Sequence, residues 1–314
     1  MDMPIFQDHK TRRAEILRTH PEVKSLIGPS ITTAWLAAAA ILLQFAVAAF
    51  VAGQAWWVIV LAAYAIGAFN IHCLNSVYHE CTHNLVFRTG PMNKAFAIVA
   101  NLPSLVPSAV AFRYYHMMHH RYLCVRGKDP DLPTPWEIRV VGHSSWRKFL
   151  WLCHMPLTYS VIHPLHTGKR PPLDRWLIAN IAAVALTSML VVYLGGWPAA
   201  AYLLLSAYFA IGPHPAAAHL LQEHVNFAGH YETASYQGPL NLISANIGYH
   251  LEHHDFAAIA GPKLPRLRRM AAPFYAGQYV HKSRAGGLWQ FILDRRIGLD
   301  SRLIRAADAA PSAI

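Results

Sequence analysis

The sequence predicts an all-α membrane protein. Four transmembrane helices would form two hairpins beneath a cytoplasmic helical cap that holds a histidine-rich site for two metal ions. Three observations predict this. Of 314 residues, 54% are hydrophobic and only 14% charged, where soluble domains average about 25% charged. The mean hydropathy is a modest +0.24, so a sizeable polar part lies outside lipid. Among the 20 histidines, eight fall into three short clusters.

The elements follow in order. Residues 1–30 read as a cytoplasmic N-terminal segment. Lys10, Arg12, Arg13, Arg18 and Lys24 leave no short apolar core, so no cleavable signal peptide is visible. Residues 31–314 read as one membrane domain. Residues 31–52 carry no charge and are long enough for a bilayer core of roughly 30 Å. Residues 56–78 form a second run, linked to the first only by Gly53, Gln54 and Ala55. The third run covers 176–194. Gly195 and Gly196 lead into the fourth, 197–224, which Pro213 and Pro215 interrupt. Residues 95–112 are cut by Pro103 and Pro107, and residues 146–165 by Pro156. Both read as interfacial or re-entrant segments, not crossings.

Charge sets the orientation. Both short links lack Lys and Arg, whereas the N-terminal segment, residues 84–175 and the C-terminal segment hold them all. The positive-inside rule then puts both termini in the cytoplasm, with a cap built from 79–175 and 225–314. A net charge of +11 would suit nucleic acid, an anionic membrane face or an acidic protein. The long apolar runs favour the membrane, and no nucleic-acid partner is expected. Lys263, Arg266, Arg268, Arg269, Arg295 and Arg296 would lie against anionic headgroups. Cys73, Cys81, Cys124 and Cys153 show no paired spacing, which favours a reducing compartment.

The clusters are His79 and His83 (HECTH), His116, His119 and His120 (HMMHH), and His250, His253 and His254 (HLEHH). Imidazole is the commonest protein metal ligand. Helical positions i, i+3 and i+4 share a face, about 5–6 Å apart at Cβ. Eight convergent nitrogens exceed the four ligands of tetrahedral zinc, so two ions side by side are expected. The second run should continue as helix through His83. That is about 42 Å from Trp56 at 1.5 Å per residue, which lifts His79 and His83 above the lipid.

HECTH also matches the HExxH signature of zinc hydrolases, with Glu80 as general base. That reading leaves HMMHH and HLEHH without a role. The segment GPHPAAAHLLQEHVNF offers a ninth nitrogen, with His224 the first choice and His219 the second. His72, seven residues before His79, and His214 are candidates for holding ligands from behind. Ligand histidines usually donate their second N–H to a carboxylate or carbonyl. Glu80, Asp129, Asp131, Glu223, Glu252 and Asp255 all sit beside the clusters. Asp129 and Asp131, flanked by Pro130 and Pro133, also read as turn residues. His9, His20, His143, His154, His163, His166, His230 and His281 read as surface or satisfied histidines. No catalytic side chain beyond the metal ligands is expected.

An all-nitrogen site suits iron, copper, nickel or zinc. Zinc is redox-inert and would imply hydrolysis. Two irons would imply oxygen activation at a membrane face placed to receive a lipid chain. Two C–H cleavages on adjacent carbons give a double bond; one followed by oxygen transfer gives an alcohol. A metal transporter would need ionisable residues along a mid-membrane path, and here the histidines gather at one face.

The order HxxxH, HxxHH, HxxHH, with spans between, resembles the membrane fatty acid desaturase and hydroxylase superfamily. RRAEILRTHPEVKSL, FRYYHMMHHRYL, and GPLNLISANIGYHLEHHDF followed by LPRLRRMAAPFY resemble the sphingolipid Δ4-desaturases. These stretches run through most of the chain, and the last is the most specific. The resemblance implies an O₂-dependent di-iron lipid desaturase, with hydroxylation the alternative outcome. It implies ligands at the eight clustered histidines, with His224 as the superfamily's additional one. It implies a sphingoid, ceramide-type or fatty acyl chain as substrate. Zinc can fill such a site in a foreign host.

The chain has no haem, Rossmann or cysteine-cluster motif, so electrons are expected from a separate carrier. The resemblance suggests ferredoxin or cytochrome b5 with its reductase. A basic cytoplasmic surface would speed the approach of an acidic carrier. Three positions depart from the family pattern. Asp2 replaces the glycine that myristoylation needs. Leu251 stands where asparagine is usual, and Ala257 where proline is usual. The alanine-rich spans point to a bacterial inner membrane; in a eukaryote the expected site is the endoplasmic reticulum.

Overall fold

Among the described residues, three helices are long and apolar enough to cross a membrane, and they organise the rest. The computed structural model describes residues 8–229 and 231–309; Asp2 and His230 lie outside the described residues. Helix α1 spans His9–Thr19, capped by Asp8, whose side chain accepts from Thr11 N. The apolar helices are α2 (Thr32–Val51), α3 (Trp56–Thr82) and α8 (Arg175–Ile211). Gly53, Gln54 and Ala55 separate α2 from α3, as expected. Their apolar surface faces outward: Trp35, Leu42, Phe50, Trp56, Leu186 and Trp197 are exposed. Contiguous exposure on that scale marks contact with lipid or another partner.

Polar pins hold these helices together inside the apolar layer. Asn70 Nδ2 donates to Ala40 O (2.7 Å) and Gln44 Oε1 (2.9 Å), and Tyr202 OH donates to Gln44 Oε1 (3.2 Å). In a medium without water, such groups must find partners within the protein. At Ala63–Gly67, α3 loosens into a π turn. There it meets α8 so closely that a Cβ on Gly67 would lie 1.9 Å from Ser206 Oγ. Helical geometry in α8 breaks at Gly196 (φ 68°), where the sequence predicts a link between spans. A Cβ on Gly195 would lie 3.7 Å from Ala52 Cβ, while Asn180 Nδ2 reaches Asn101 Oδ1 at 3.0 Å. Beyond the break, Ala210 packs with Ala97 and Ala100.

Helix α4 (Gly90–Asn101) and helix α5 (Ala109–Arg121) meet at a 115° bend. This is where Pro103 and Pro107 stand. The corner is built around Asn101, whose Oδ1 accepts from Ser108 N (3.0 Å) and Ala109 N (3.2 Å) and whose Nδ2 donates to Val106 O (3.0 Å). Helix α6 (Pro135–Val141) starts in a Thr134/Glu137 capping box. Helix α7 (Ser145–Leu157) keeps Pro156 inside it and runs on into a π turn.

The fourth predicted run breaks as expected. Helix α8 ends at Ile211, a 3₁₀ turn covers Pro215–Ala217, and helix α9 spans Ala218–His224. Helices α10 (His250–Asp255), α11 (Leu264–Met270) and α12 (Arg284–Leu293) follow, with a single helical turn at Ala272–Tyr275. Strands β1 (Ser235–Tyr236) and β2 (Val280–His281) pair in parallel. The chain from α1 to residue 26 does not stand apart as a tail. Ile16, Val23 and Leu26 are buried against Leu251, Phe256, Ile259, Leu264 and Leu267.

Candidate metal centre

Nine histidines converge in two sets. His79, His83, His116, His120 and His253 bring one nitrogen each within 4.8 Å of one another, and so do His119, His224, His250 and His254. These are the eight clustered histidines and the first choice for the ninth. All are buried except His83, which is half-buried.

Helical geometry explains the sorting. His79 lies in the last turn of α3 and His83 caps it. Arg113 Nη1 donates to the carbonyls of Cys81 (3.1 Å) and Thr82 there. On α5, His116 and His120 are four residues apart and share a face, so both join the five-histidine set. His119 points about 100° away from His120 and joins the other. The third box reverses this assignment: His250 and His254 join the four-histidine set, and His253 crosses to the five. Each HxxHH box therefore serves both sets, as a pair plus a single.

The spacing fits metal coordination. Nε2 atoms of His83 and His116, His116 and His120, and His250 and His254 lie 2.9 Å apart. His224 to His250 is 3.2 Å and His120 to His253 is 3.3 Å. With metal–nitrogen bonds of about 2.0–2.1 Å, neighbouring ligands stand about 2.9 Å apart at a right angle and about 3.4 Å at a tetrahedral angle. His79 Nε2 and His119 Nε2, both buried, have no hydrogen-bond partner among the described residues. Unpaired buried nitrogens are costly unless something binds them. Burial, then neighbouring imidazoles, holds His250, His253 and His254 well below the usual histidine range. These rings are neutral and competent as ligands.

The groups expected behind the ligands divide sharply. Asp129 accepts from His119 Nδ1 at 2.9 Å and from Cys124 N at 2.7 Å; Asp131 Oδ2 lies 3.5 Å from the same ring nitrogen. Glu223 Oε1 approaches His250 Nδ1 to 3.3 Å without hydrogen-bond alignment. His224 Nδ1 is held by a group the sequence did not suggest, the carbonyl of Glu232, at 3.1 Å.

The other expected supports touch no ligand ring. Glu80 accepts from Gly261 N at 2.8 Å and joins neither set. Glu252 accepts from Ser235 Oγ (2.5 Å) and from Arg268. Asp255 is taken by Arg12 and His9. In each case a backbone amide, hydroxyl or cation from another segment reaches the carboxylate. The His72 ring lies tilted against that of His219, with centroids 4.3 Å apart, and His219 Nδ1 lies 3.0 Å from Ala216 O. His219, the second choice for the ninth nitrogen, therefore stays outside both sets. His214 lies 4.4 Å from the Tyr64 ring, centroid to centroid, and its Nδ1 caps Ala216 N.

Two histidines read as bystanders are buried and engaged. His163 Nε2 meets Glu137 at 2.8 Å, while its buried Nδ1 has no hydrogen-bond partner among the described residues. His9, which received no role, sits against the third box. A single histidine among surface charges gives no signal by itself; only the surrounding block RRAEILRTHPEVKSL marked this segment.

A cavity of about 570 Å³ opens beside the centre, lined among others by Cys81, Thr82, Val110, Arg113, Met117 and Trp176.

Comparison with known proteins agrees with this architecture. The family model "Fatty acid desaturase" matches residues 54–285, and "Sphingolipid Delta4-desaturase (DES)" matches residues 6–32. Sphingolipid delta(4)-desaturase DES1 of Drosophila melanogaster is 38% identical over 301 residues, covering 95% of this chain and 93% of the relative. Its counterpart in Homo sapiens is 36% identical over 301 residues, 95% and 92% respectively. Sphingolipid delta(4)-desaturase/C4-monooxygenase DES2 of Rattus norvegicus is 36% identical over 312 residues, 97% and 94%. With helices apolar enough for a bilayer, two histidine sets and these relatives, the chain belongs to the membrane fatty acid desaturases and, within them, to the lipid-desaturating oxidoreductases of the sphingolipid Δ4-desaturase family.

Proposed function

We propose that this enzyme uses two irons and O₂ to introduce a double bond into a sphingoid or ceramide-type chain. The observation that carries the reading is the sorting of nine imidazoles into sets of five and four with Nε2 spacings of 2.9–3.3 Å. His79, His83, His116, His120 and His253 would hold one ion; His119, His224, His250 and His254 would hold the other. Once reduced and supplied with O₂, the two irons would provide an oxidant able to break an unactivated C–H bond. The chain's own part is to orient the rings and exclude water. Asp129 and the Glu232 carbonyl fix the tautomer and angle of His119 and His224. A zinc hydrolase using HECTH is disfavoured, because Glu80 is spent on the Gly261 amide.

The topology we propose is four spans in two hairpins. The proximity of Gly195 to Ala52, and of Asn180 to Asn101, supports a turn in α8 at the same level as the α2–α3 turn. Both termini and the metal centre would then face the cytoplasm, in a bacterial inner membrane or, in a eukaryote, the endoplasmic reticulum. The lipid would reach the centre through the cavity beside α5. Electrons would come from a separate ferredoxin or cytochrome b5 with its reductase.

Hydroxylation is the second reading, because the rat relative's name carries both activities. Lipid mass spectrometry of a host with and without the chain tests both. Loss of two hydrogens marks desaturation and gain of one oxygen marks hydroxylation. No change in any lipid of a host supplied with sphingoid chains and a matched donor would overturn both readings.

A further inference from the structure

The N-terminal segment is far in sequence from the third histidine box, yet the two are joined by a buried polar lock. Asp255 follows His254 directly and is 1% exposed. Its Oδ2 accepts from Arg12 Nε at 2.7 Å, and its Oδ1 accepts from Arg12 Nη2 at 2.9 Å. His9 Nδ1 lies 2.7 Å from the same Oδ1. A guanidinium fork matches a carboxylate in plane as well as in charge. His9 and Arg12 stand one turn apart on α1 and so reach one target together.

His9 also faces the other way. Its Nε2 lies 2.9 Å from Thr233 Oγ1, and the preceding residue, Glu232, presents its carbonyl to His224 Nδ1. His9 therefore bridges two segments, the one bearing His250 and His254 and the one that aims His224. Its own ring stands 5.2 Å from that of His254.

Stability alone does not explain this choice of residues. Desolvation largely offsets the attraction within a buried ion pair. The same seam is already closed by Ile16, Val23 and Leu26 against Leu251, Phe256 and Ile259. What a fork adds is a fixed angle. Helix α10 has only six residues, too few to hold its own geometry.

We infer that Arg12 and His9 are positioning residues for the ion of the four-histidine set, which makes the N-terminal segment part of the metal centre. The inference rests on the two-ion reading above.

The test uses full-length protein in detergent. Metal content and thermal unfolding are measured on the same preparations of wild type, Arg12→Ala, Arg12→Lys, His9→Ala and Ile16→Ala. Ile16→Ala loosens the apolar seam without touching Asp255. Wild type should hold two ions per chain. Arg12→Ala should lose one of them, and His9→Ala should release one to a chelator on the order of 10–100-fold more readily. Arg12→Lys keeps the charge but not the fork, so it should recover stability and not the second ion. Ile16→Ala should melt earlier and keep both. Retention of two ions in Arg12→Ala, full recovery in Arg12→Lys, or equal ion loss in Ile16→Ala would overturn the inference. Should Arg12→Ala fail to fold, Arg12→Lys and His9→Ala decide it. A wild-type chain without bound metal would overturn the two-ion reading instead, so the two failures are distinguishable.

Discussion

The two histidine sets share α5 and α10 but are held differently. Three of the five histidines in the first set stand on α3, which has 27 residues, and on α5, which has 13, and a fourth, His83, caps α3. Those helices take their geometry from packing along their length. Among the described residues, the Nδ1 atoms of His79, His120 and His253 have no hydrogen-bond partner. Three histidines of the second set stand on α9 and α10, of seven and six residues. Helices that short are marginal alone; the Nδ1 atoms of His250 and His254 are also unpartnered among the described residues, but Asp129 holds His119, the Glu232 carbonyl holds His224, and α1 is locked onto Asp255. The holds follow the set and not helix length: His119, on the 13-residue α5, is held by Asp129, whereas the Nδ1 of His253, on the six-residue α10, has no hydrogen-bond partner among the described residues.

Breaking either set outright should have the largest effect. His79→Ala and His120→Ala in one, and His254→Ala in the other, should each abolish turnover while the protein still inserts in the membrane. A product assay with membrane fractionation checks this, and turnover in any one would remove that residue from the site. Asp129→Asn should sharpen the contrast by costing on the order of 10–100-fold in metal affinity or activity. An equal loss from an exposed carboxylate such as Glu22→Gln would show that the hold is not specific.

Leu251→Asn restores the residue usual in the family, but here position 251 is buried among Ile16, Val23 and Leu26. An unpartnered amide there should cost about 1–3 kcal/mol, read by denaturant unfolding. Unchanged or raised stability would mean that this seam accommodates a polar group. Glu80→Gln should change turnover only a few-fold, since glutamine still accepts from Gly261 N; complete loss, with zinc bound, would instead revive the hydrolase reading.

The smallest effect should come from His281, which belongs to neither set. Burial, aided by the charge of Arg284, pushes its pKa down to about 3. The unfolded chain binds a proton near pH 6.5, so this term supports folding fully above 6.5 and is lost as pH falls toward 3. His281→Phe should flatten that part of the acid dependence in denaturation curves at pH 7.5 and 5.

Several features were legible because they are local. The apolar runs, the Gly195–Gly196 break, the interruption at Pro213 and Pro215, and the i, i+3, i+4 histidine spacing all follow from composition and helical period. They sufficed to single out the nine histidines; the family came from the resemblance of longer blocks such as GPLNLISANIGYHLEHHDF. The sequence could not tell which histidines share a set, because an HxxHH box offers a pair and a single at different angles. Only the relative rotation of α5 and α10 decides which goes where. Nor could it tell that Glu80, Glu252 and Asp255 are taken by Gly261, Arg268 and Arg12, or that Glu232 lends its carbonyl to His224. Those pairings join residues as much as 243 positions apart. Helical periodicity acts within a few turns, so it specifies which side chains can converge. The packing of distant segments specifies what holds them there.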